Sequence, residues 1–224
     1  MSHRAPSSRG ALRWGAVDHY FAAEPASEDQ RREISVVLDG YPLQVETAPG
    51  VFSPAHVDVG TLVLLDTVGA PPPGHILDLG CGWGPIALTA AIRTPAAHIY
   101  AVDVNKRALD LVTRNVARVR ARVDIAPIDA LVPDAVAPDL VFDALWSNPP
   151  IRIGKAELHD LLTRWVPRVK PGGEVWLVVQ KNLGADSLAT WLAEQCDDAG
   201  VAWGTVERVR SSKGFRILCL TRTS

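Results

Sequence analysis

The sequence predicts an α/β domain: a mostly parallel, seven-stranded sheet with helices on both faces, preceded by a β-hairpin. Three observations carry this. From His75 onward, short Val/Ile/Leu-rich runs alternate with helical periods, the pattern of a parallel sheet buried on both sides. A glycine-rich turn, Gly80-Cys81-Gly82-Trp83-Gly84, joins the first of these runs to a helical stretch. Ahead of both, two strand-like runs flank Asp39-Gly40, a hairpin signal.

The elements follow in order. Residues 1–15 carry Ser, Arg, Pro and Gly without periodicity and are expected to form a mobile arm. Residues 16–60 form an N-terminal extension whose hairpin, 34–38 with 43–47, packs on the core. Residues 61–224 form the main domain, with strands expected at 76–79, 99–102, 123–128, 144–146 and 175–179 and a terminal pair near 206–209 and 215–220. Leu109, Val112, Val116 and Val119 recur at helical spacing, with Asn105 placed as N-cap. Arg107, Arg114 and Arg118 then share the opposite face, which reads first as ordinary solvation and second as RNA contact.

Composition narrows the class. A chain of 224 residues, 47% hydrophobic, is long enough for one substantial core. The net charge of -2 gives no global attraction to nucleic acid, so any such binding must use local basic patches. Three cysteines far apart, with no CxxC pair, read as reduced thiols in a cytoplasmic protein. No apolar run has the length of a membrane span, so no membrane partner is expected. The six histidines show no metal spacing, and no metal is expected.

The glycine loop starts at Asp78-Leu79. Gly80, Cys81, Gly82 and Gly84 let the backbone turn sharply, so that a ligand can lie against its amides near a helix N-terminus. The spacing is Gly-x-Gly-x-Gly, and not the Gly-x-Gly-x-x-Gly that brings a pyrophosphate to the helix end. Asp103-Val104 ends the next strand about twenty residues on, where a carboxylate accepts from a ribose diol. Asp129-Ala130 is expected at the same edge, with Asp129 either accepting from an adenine amino group or simply solvated. The pattern indicates a Rossmann-like fold holding an adenosine-containing cofactor without a pyrophosphate.

Ser147-Asn148-Pro149-Pro150-Ile151 follows the fourth main strand, at the edge where ligands collect in open α/β sheets. An amino group on a base is a poor nucleophile because its lone pair is delocalised. Two acceptors aimed at its hydrogens pyramidalise it, and Asn148 Oδ1 with the Pro149 carbonyl can supply them. Pro149 and Pro150 stiffen the strand end, so Asn148, Pro149, Pro150 and Ile151 form the expected catalytic segment. The same acceptors suit an amide nitrogen. Downstream, Arg152, Lys155, Lys181 and Lys213 favour a phosphate-bearing substrate.

On these motifs the chain resembles class I S-adenosylmethionine-dependent methyltransferases. More narrowly it is similar to the small methyltransferase domain of the ribosomal RNA small-subunit methyltransferase C type. Further matching stretches are Gly50-Val51-Phe52-Ser53, Asp58-Val59-Gly60-Thr61, Lys170-Pro171-Gly172-Gly173, residues 179–185 and Lys213-Gly214-Phe215-Arg216. The resemblance implies S-adenosylmethionine as cofactor, with Phe52, Asp58 and Asn148 joining the residues that bind it. It also implies methylation of a guanine N2 in small-subunit ribosomal RNA, naked or in an assembling subunit. Protein glutamine-N5 methylation and a non-catalytic RNA-binding assembly factor remain as alternatives. Two departures stand out: the larger members carry a second, degenerate domain for which 224 residues leave no room, and Ile151 occupies a position where many amino methyltransferases have Tyr or Phe.

Overall fold

The computed structural model describes residues 30–223; the arm expected at 1–15 lies outside the described residues. Strands β1 (Arg32–Leu38) and β2 (Tyr41–Thr47) pair antiparallel with Leu38 opposite Tyr41. The two-residue turn works because Asp39 and Gly40 both take positive φ, 48° and 83°, as a type I′ turn requires. The inward residues Val36, Leu38, Leu43 and Val45 are buried.

After helix α1 (Val59–Leu65), the domain alternates β3 (His75–Leu79), α2 (Pro85–Arg93), β4 (His98–Val102) and α3 (Lys106–Arg120). It continues with β5 (Ile128–Leu131), β6 (Phe142–Ser147), α4 (Lys155–Trp165), β7 (Val169–Gln180) and α5 (Ala185–Ala193), then the hairpin β8 (Gly204–Ser212) and β9 (Phe215–Arg222). The seven-stranded sheet has the order β5-β4-β3-β6-β7-β9-β8. It is parallel except at β9, which runs antiparallel to both β7 and β8.

Alternate strand residues feed two cores, as expected for a sheet covered on both faces. Ile76, Ile99, Ala101 and Ile217 join the hairpin, α1, α2 and α3 in one apolar cluster. Leu77, Leu145, Leu177 and Leu218 join α4 and α5 in the other. Asn105 caps α3, accepting from the Arg107 and Ala108 amides at 3.0 and 3.4 Å.

Two expectations change. The strand expected at 123–128 begins only at Ile128. Ile125 and Ala126 are buried in a loop against the first cluster, and Pro127 has no N–H to give a ladder. The Arg face of α3 is divided: Arg107 and Arg118 are engaged by the N-terminal extension, while Arg114 stays exposed. Arg118 bonds Glu46 and Glu33 of the hairpin, Arg107 Nη1 donates to the Pro49 carbonyl at 2.6 Å, and Arg114 pairs with Asp110. Arg107 and Arg118 clasp the N-terminal extension to the domain.

Candidate active site

At the carboxyl edge of the sheet lies a cavity of about 400 Å³. Its lining comes from four places. The loop after β2 gives Val51, Phe52, Ser53, Pro54 and Asp58; the glycine loop gives Gly80 and Gly82; the end of β4 gives Val102, Asp103, Val104, Asn105 and Ala108. The far side is Asn148 to Ile153 with Leu161, Pro133, Gln180, Leu183 and Phe215. Of the residues expected from the sequence, Phe52, Asp58, Gly80, Gly82, Asp103, Val104, Asn148, Pro149, Pro150, Ile151 and Arg152 meet here.

The glycine loop differs from expectation in one respect. Four of its amides are already used: Gly80 and Cys81 donate to the Val102 carbonyl at 2.8 and 3.2 Å, Gly84 donates to the Cys81 carbonyl, and Gly82 donates to Asp103 Oδ2 at 3.0 Å. Gly80, Cys81, Gly82 and Gly84 therefore offer close approach and not free donors. Gly80, Gly82 and Gly84 have φ of 76°, 55° and 100°, which disfavours side chains, and a Cβ on Gly84 would press on Val112 of α3 at 3.1 Å. Cys81 and Gly84 support the turn from behind. The Cys81 thiol is pushed well above its ordinary range by burial, with Asp103 and Asp78 adding to the effect, so it stays protonated.

Asp103 accepts from Gly82 on one oxygen and from Asn105 on the other, at 2.9 Å. Burial raises its pKa against the pull of these backbone donors. With Val104 as a third backbone donor, the carboxylate still keeps a lone pair for a ligand. Asp78 lies behind the loop, fully buried, with Oδ2 accepting from the Ala87 amide at 2.9 Å at the start of α2. Its Oδ1 is buried without a hydrogen-bond partner, and burial pushes its pKa up to about 8.

Asn148 is held from the protein side. Its Nδ2 donates to Asp58 Oδ2 and to Thr61 Oγ1, both at 3.0 Å. With both amide hydrogens spent, the side chain turns its acceptor, Oδ1, away from the clamp. Asp58 is itself fixed as N-cap of α1, its Oδ2 accepting from the Gly60 and Thr61 amides at 2.8 and 3.2 Å. Ser147 Oγ donates to the Leu79 carbonyl at 2.6 Å and ties the strand end to β3. The Pro149 carbonyl accepts from the Ile151 amide at 2.8 Å, leaving one lone pair.

Other expected residues fall elsewhere. Because β5 starts late, Asp129 is inside it, opposite Tyr100, and bonds His98 Nε2 at 2.8 Å; Ala130 is opposite Ala101. Neither lines the cavity, where Pro133 stands instead. Lys155, Lys181 and Lys213 lie just outside the lining: Lys155 opens α4 after Ile153, Lys181 follows Gln180, and Lys213 precedes Phe215 by two residues. Sequence reading missed Val51, Ser53, Pro54, Asn105, Ala108, Pro133, Gln180, Leu183 and Phe215. The stretches 50–53, 179–185 and 213–216 were the signal that held several of them.

Sheet order, terminal antiparallel hairpin and carboxyl-edge cavity define the class I methyltransferase architecture, and solved structures share it. The T. thermophilus 16S rRNA methyltransferase RsmC, solved in complex with AdoMet and guanosine, aligns over 88% of this chain and 52% of its own, with a TM-score of 0.70 and 22% identity. A Pyrococcus furiosus methyltransferase aligns over 81% of this chain and 90% of its own, with a TM-score of 0.59 and 18% identity. At such identities the likeness is one of fold. The methyltransferase small domain family matches residues 42–219, and the chain belongs to that family. The Bacillus subtilis (strain 168) uncharacterized protein YbxB is 32% identical over 202 residues, 90% of this chain and 96% of that protein. Ribosomal RNA small subunit methyltransferase C of Pseudomonas entomophila (strain L48) is 31% identical over 221 residues. The chain covers 96% of its own length there but spans only 62% of that relative.

Proposed function

We propose that this chain uses S-adenosylmethionine to methylate the exocyclic N2 of a guanine in small-subunit ribosomal RNA. The observation that carries the proposal is the clamp on Asn148: Asp58 and Thr61 take both Nδ2 hydrogens, so the residue serves as an acceptor and nothing else.

The residues present fit the cofactor. Asp103 lines the cavity with a lone pair left for the ribose diol, and Gly80 and Gly82 allow close approach. When bound, S-adenosylmethionine supplies a methyl group on a sulfonium, which is a leaving group good enough to need no acid. The protein's remaining work is alignment and electrostatics. Asn148 Oδ1 and the free lone pair of the Pro149 carbonyl accept the two amino hydrogens and turn the nitrogen lone pair outward. The amino nitrogen becomes cationic on transfer and far more acidic, so one proton leaves to water and no protein base is required.

A base is favoured over a protein amide by charge. Arg152, Lys155, Lys181 and Lys213 have no ion-pair partner among the described residues, whereas Arg93, Arg114, Arg118, Arg164, Lys170 and Arg216 are all paired. Unpaired cations around a cavity mouth suit phosphates. The name of the Pseudomonas relative points the same way. The three cysteines are free thiols, in keeping with a cytoplasmic setting. Nucleoside mass spectrometry of ribosomal RNA from a deletion strain tests the proposal, with one N2-methylguanosine expected to be missing. Unchanged RNA together with an unmethylated release-factor glutamine would favour the protein substrate.

A further inference from the structure

A base whose amino group is to be methylated must leave its stack, and an extruded base regains stability by lying on an aromatic face. The position after Asn-Pro-Pro offers no ring. Ile151 sits half-buried in a one-turn 3-10 helix and packs against the core beneath α4 and α5.

Two rings line the cavity, Phe52 and Phe215. They stand at different places. Phe52 Cβ lies 4.0 Å from where a Cβ on Gly82 would be, which puts it over the glycine loop at the cofactor end. Phe215 opens β9 opposite Gln180 at the end of β7, the strand next to the one that ends at Ser147 and leads into Asn148. Its ring lies on Gly60 so closely that a Cβ there would come within 2.7 Å of Phe215 Cε1. Gly60 belongs to the same turn as Asp58 and Thr61, the residues that hold Asn148. The ring and the acceptor are thus fixed by one turn of α1.

We propose that Phe215 is the stacking surface for the target guanine, taking the place of the ring absent at position 151, and that residue 60 is glycine so that the ring can seat there. This rests on the base-methylation reading above. The hairpin turn supplies the matching charge: the Gly214 carbonyl accepts from the Lys181 amide at 2.8 Å, so Lys181 and Lys213 are brought beside the ring. A nucleotide whose base lies on Phe215 then has two cations near its phosphate, neither with an ion-pair partner among the described residues.

The test uses the full chain saturated with S-adenosylhomocysteine and guanosine as probe, with affinity read by saturation-transfer NMR and equilibrium dialysis. Phe215→Ala should weaken guanosine binding about 10- to 100-fold, the usual loss for one base–aromatic stack. Phe215→Tyr should bind as the wild type does, and Phe215→Leu, which keeps the apolar volume and removes the π-face, should recover only part of the loss. Affinity for S-adenosylhomocysteine should stay constant throughout. Equal binding by Phe215→Leu and wild type, a parallel fall in affinity for S-adenosylhomocysteine, or no guanosine binding by the wild type would each overturn the assignment. Methyl transfer into ribosomal RNA by the wild type is scored separately: protein that binds guanosine through Phe215 but leaves RNA unmethylated refutes the RNA reading and not the stacking.

Discussion

Replacing Asn148 by aspartate gives the clamp a measurable signature. In Asn148→Asp a carboxyl oxygen takes the place of Nδ2, 3.0 Å from Asp58 Oδ2 and 3.0 Å from Thr61 Oγ1. Two carboxylates at that separation repel by about 5 kcal/mol at an effective dielectric near 20, equivalent to roughly four pH units. Solvent in the open cavity screens part of this, so the pair should hold one shared proton up to roughly pH 6–8. The protonated form donates to Asp58 and still presents an acceptor oxygen to the amino group. The sign follows directly: the introduced carboxyl has a raised pKa, its protonated state is the active one, and activity falls as pH climbs through that pKa. Single-turnover methyl transfer, with saturating cofactor and RNA between pH 5.5 and 9, should show Asn148→Asp well above Asn148→Ala at the acid end and declining alkaline of neutrality. Adding Asp58→Asn removes the second charge while keeping an N-cap, and should move that decline to lower pH. A flat profile for Asn148→Asp, or activity equal to alanine at pH 6, would refute the clamp.

Two further outcomes test the cofactor end. Asp103→Ala should weaken S-adenosylmethionine binding by roughly 10- to 100-fold, the loss of about 1.5–3 kcal/mol expected for a charged hydrogen bond, as measured by calorimetry; unchanged affinity would remove Asp103 from the site. Asp78→Asn addresses pH. With a folded-state pKa of about 8 against an ordinary 3.8, the native chain binds more protons than the unfolded one across that window, so stability falls as pH rises. In urea unfolding without cofactor, the advantage of Asp78→Asn over wild type should grow from pH 4 to 8, by at most about 1.4 kcal/mol per unit. A constant difference would contradict the burial argument.

Much of the fold was readable because it is written in local patterns. The Asp39-Gly40 turn, the glycine loop and the capping Asn105 each act within a few residues, and the sequence shows them directly. The start of β5 was not readable, since Ile125 and Ala126 are apolar for packing in a loop and look like strand residues; Asp129 was misplaced with them. The site divides the same way. Asn148 and Asp103 announce themselves by position after a strand. Asp58, assigned by resemblance to the cofactor, is found holding Asn148, a contact across 90 residues that no spacing rule reaches. Phe215 joins the cavity only because β9 inserts antiparallel between β7 and β8. Arg118 shows the converse: its helical face was correct, but its partners Glu33 and Glu46 come from the hairpin.

On the proposed function, Asn148 acts on the reacting amino group while the cofactor is held elsewhere. The most direct test is single-turnover methyl transfer into ribosomal RNA from a deletion strain by wild type and Asn148→Ala, alongside cofactor titrations of both. Loss of one preorganised acceptor at the reacting centre should slow transfer about 10²–10³-fold, by analogy with removal of an oxyanion-site donor, while S-adenosylmethionine affinity stays within a few-fold. Near-normal transfer by Asn148→Ala would contradict the account and leave Asn-Pro-Pro as a turn.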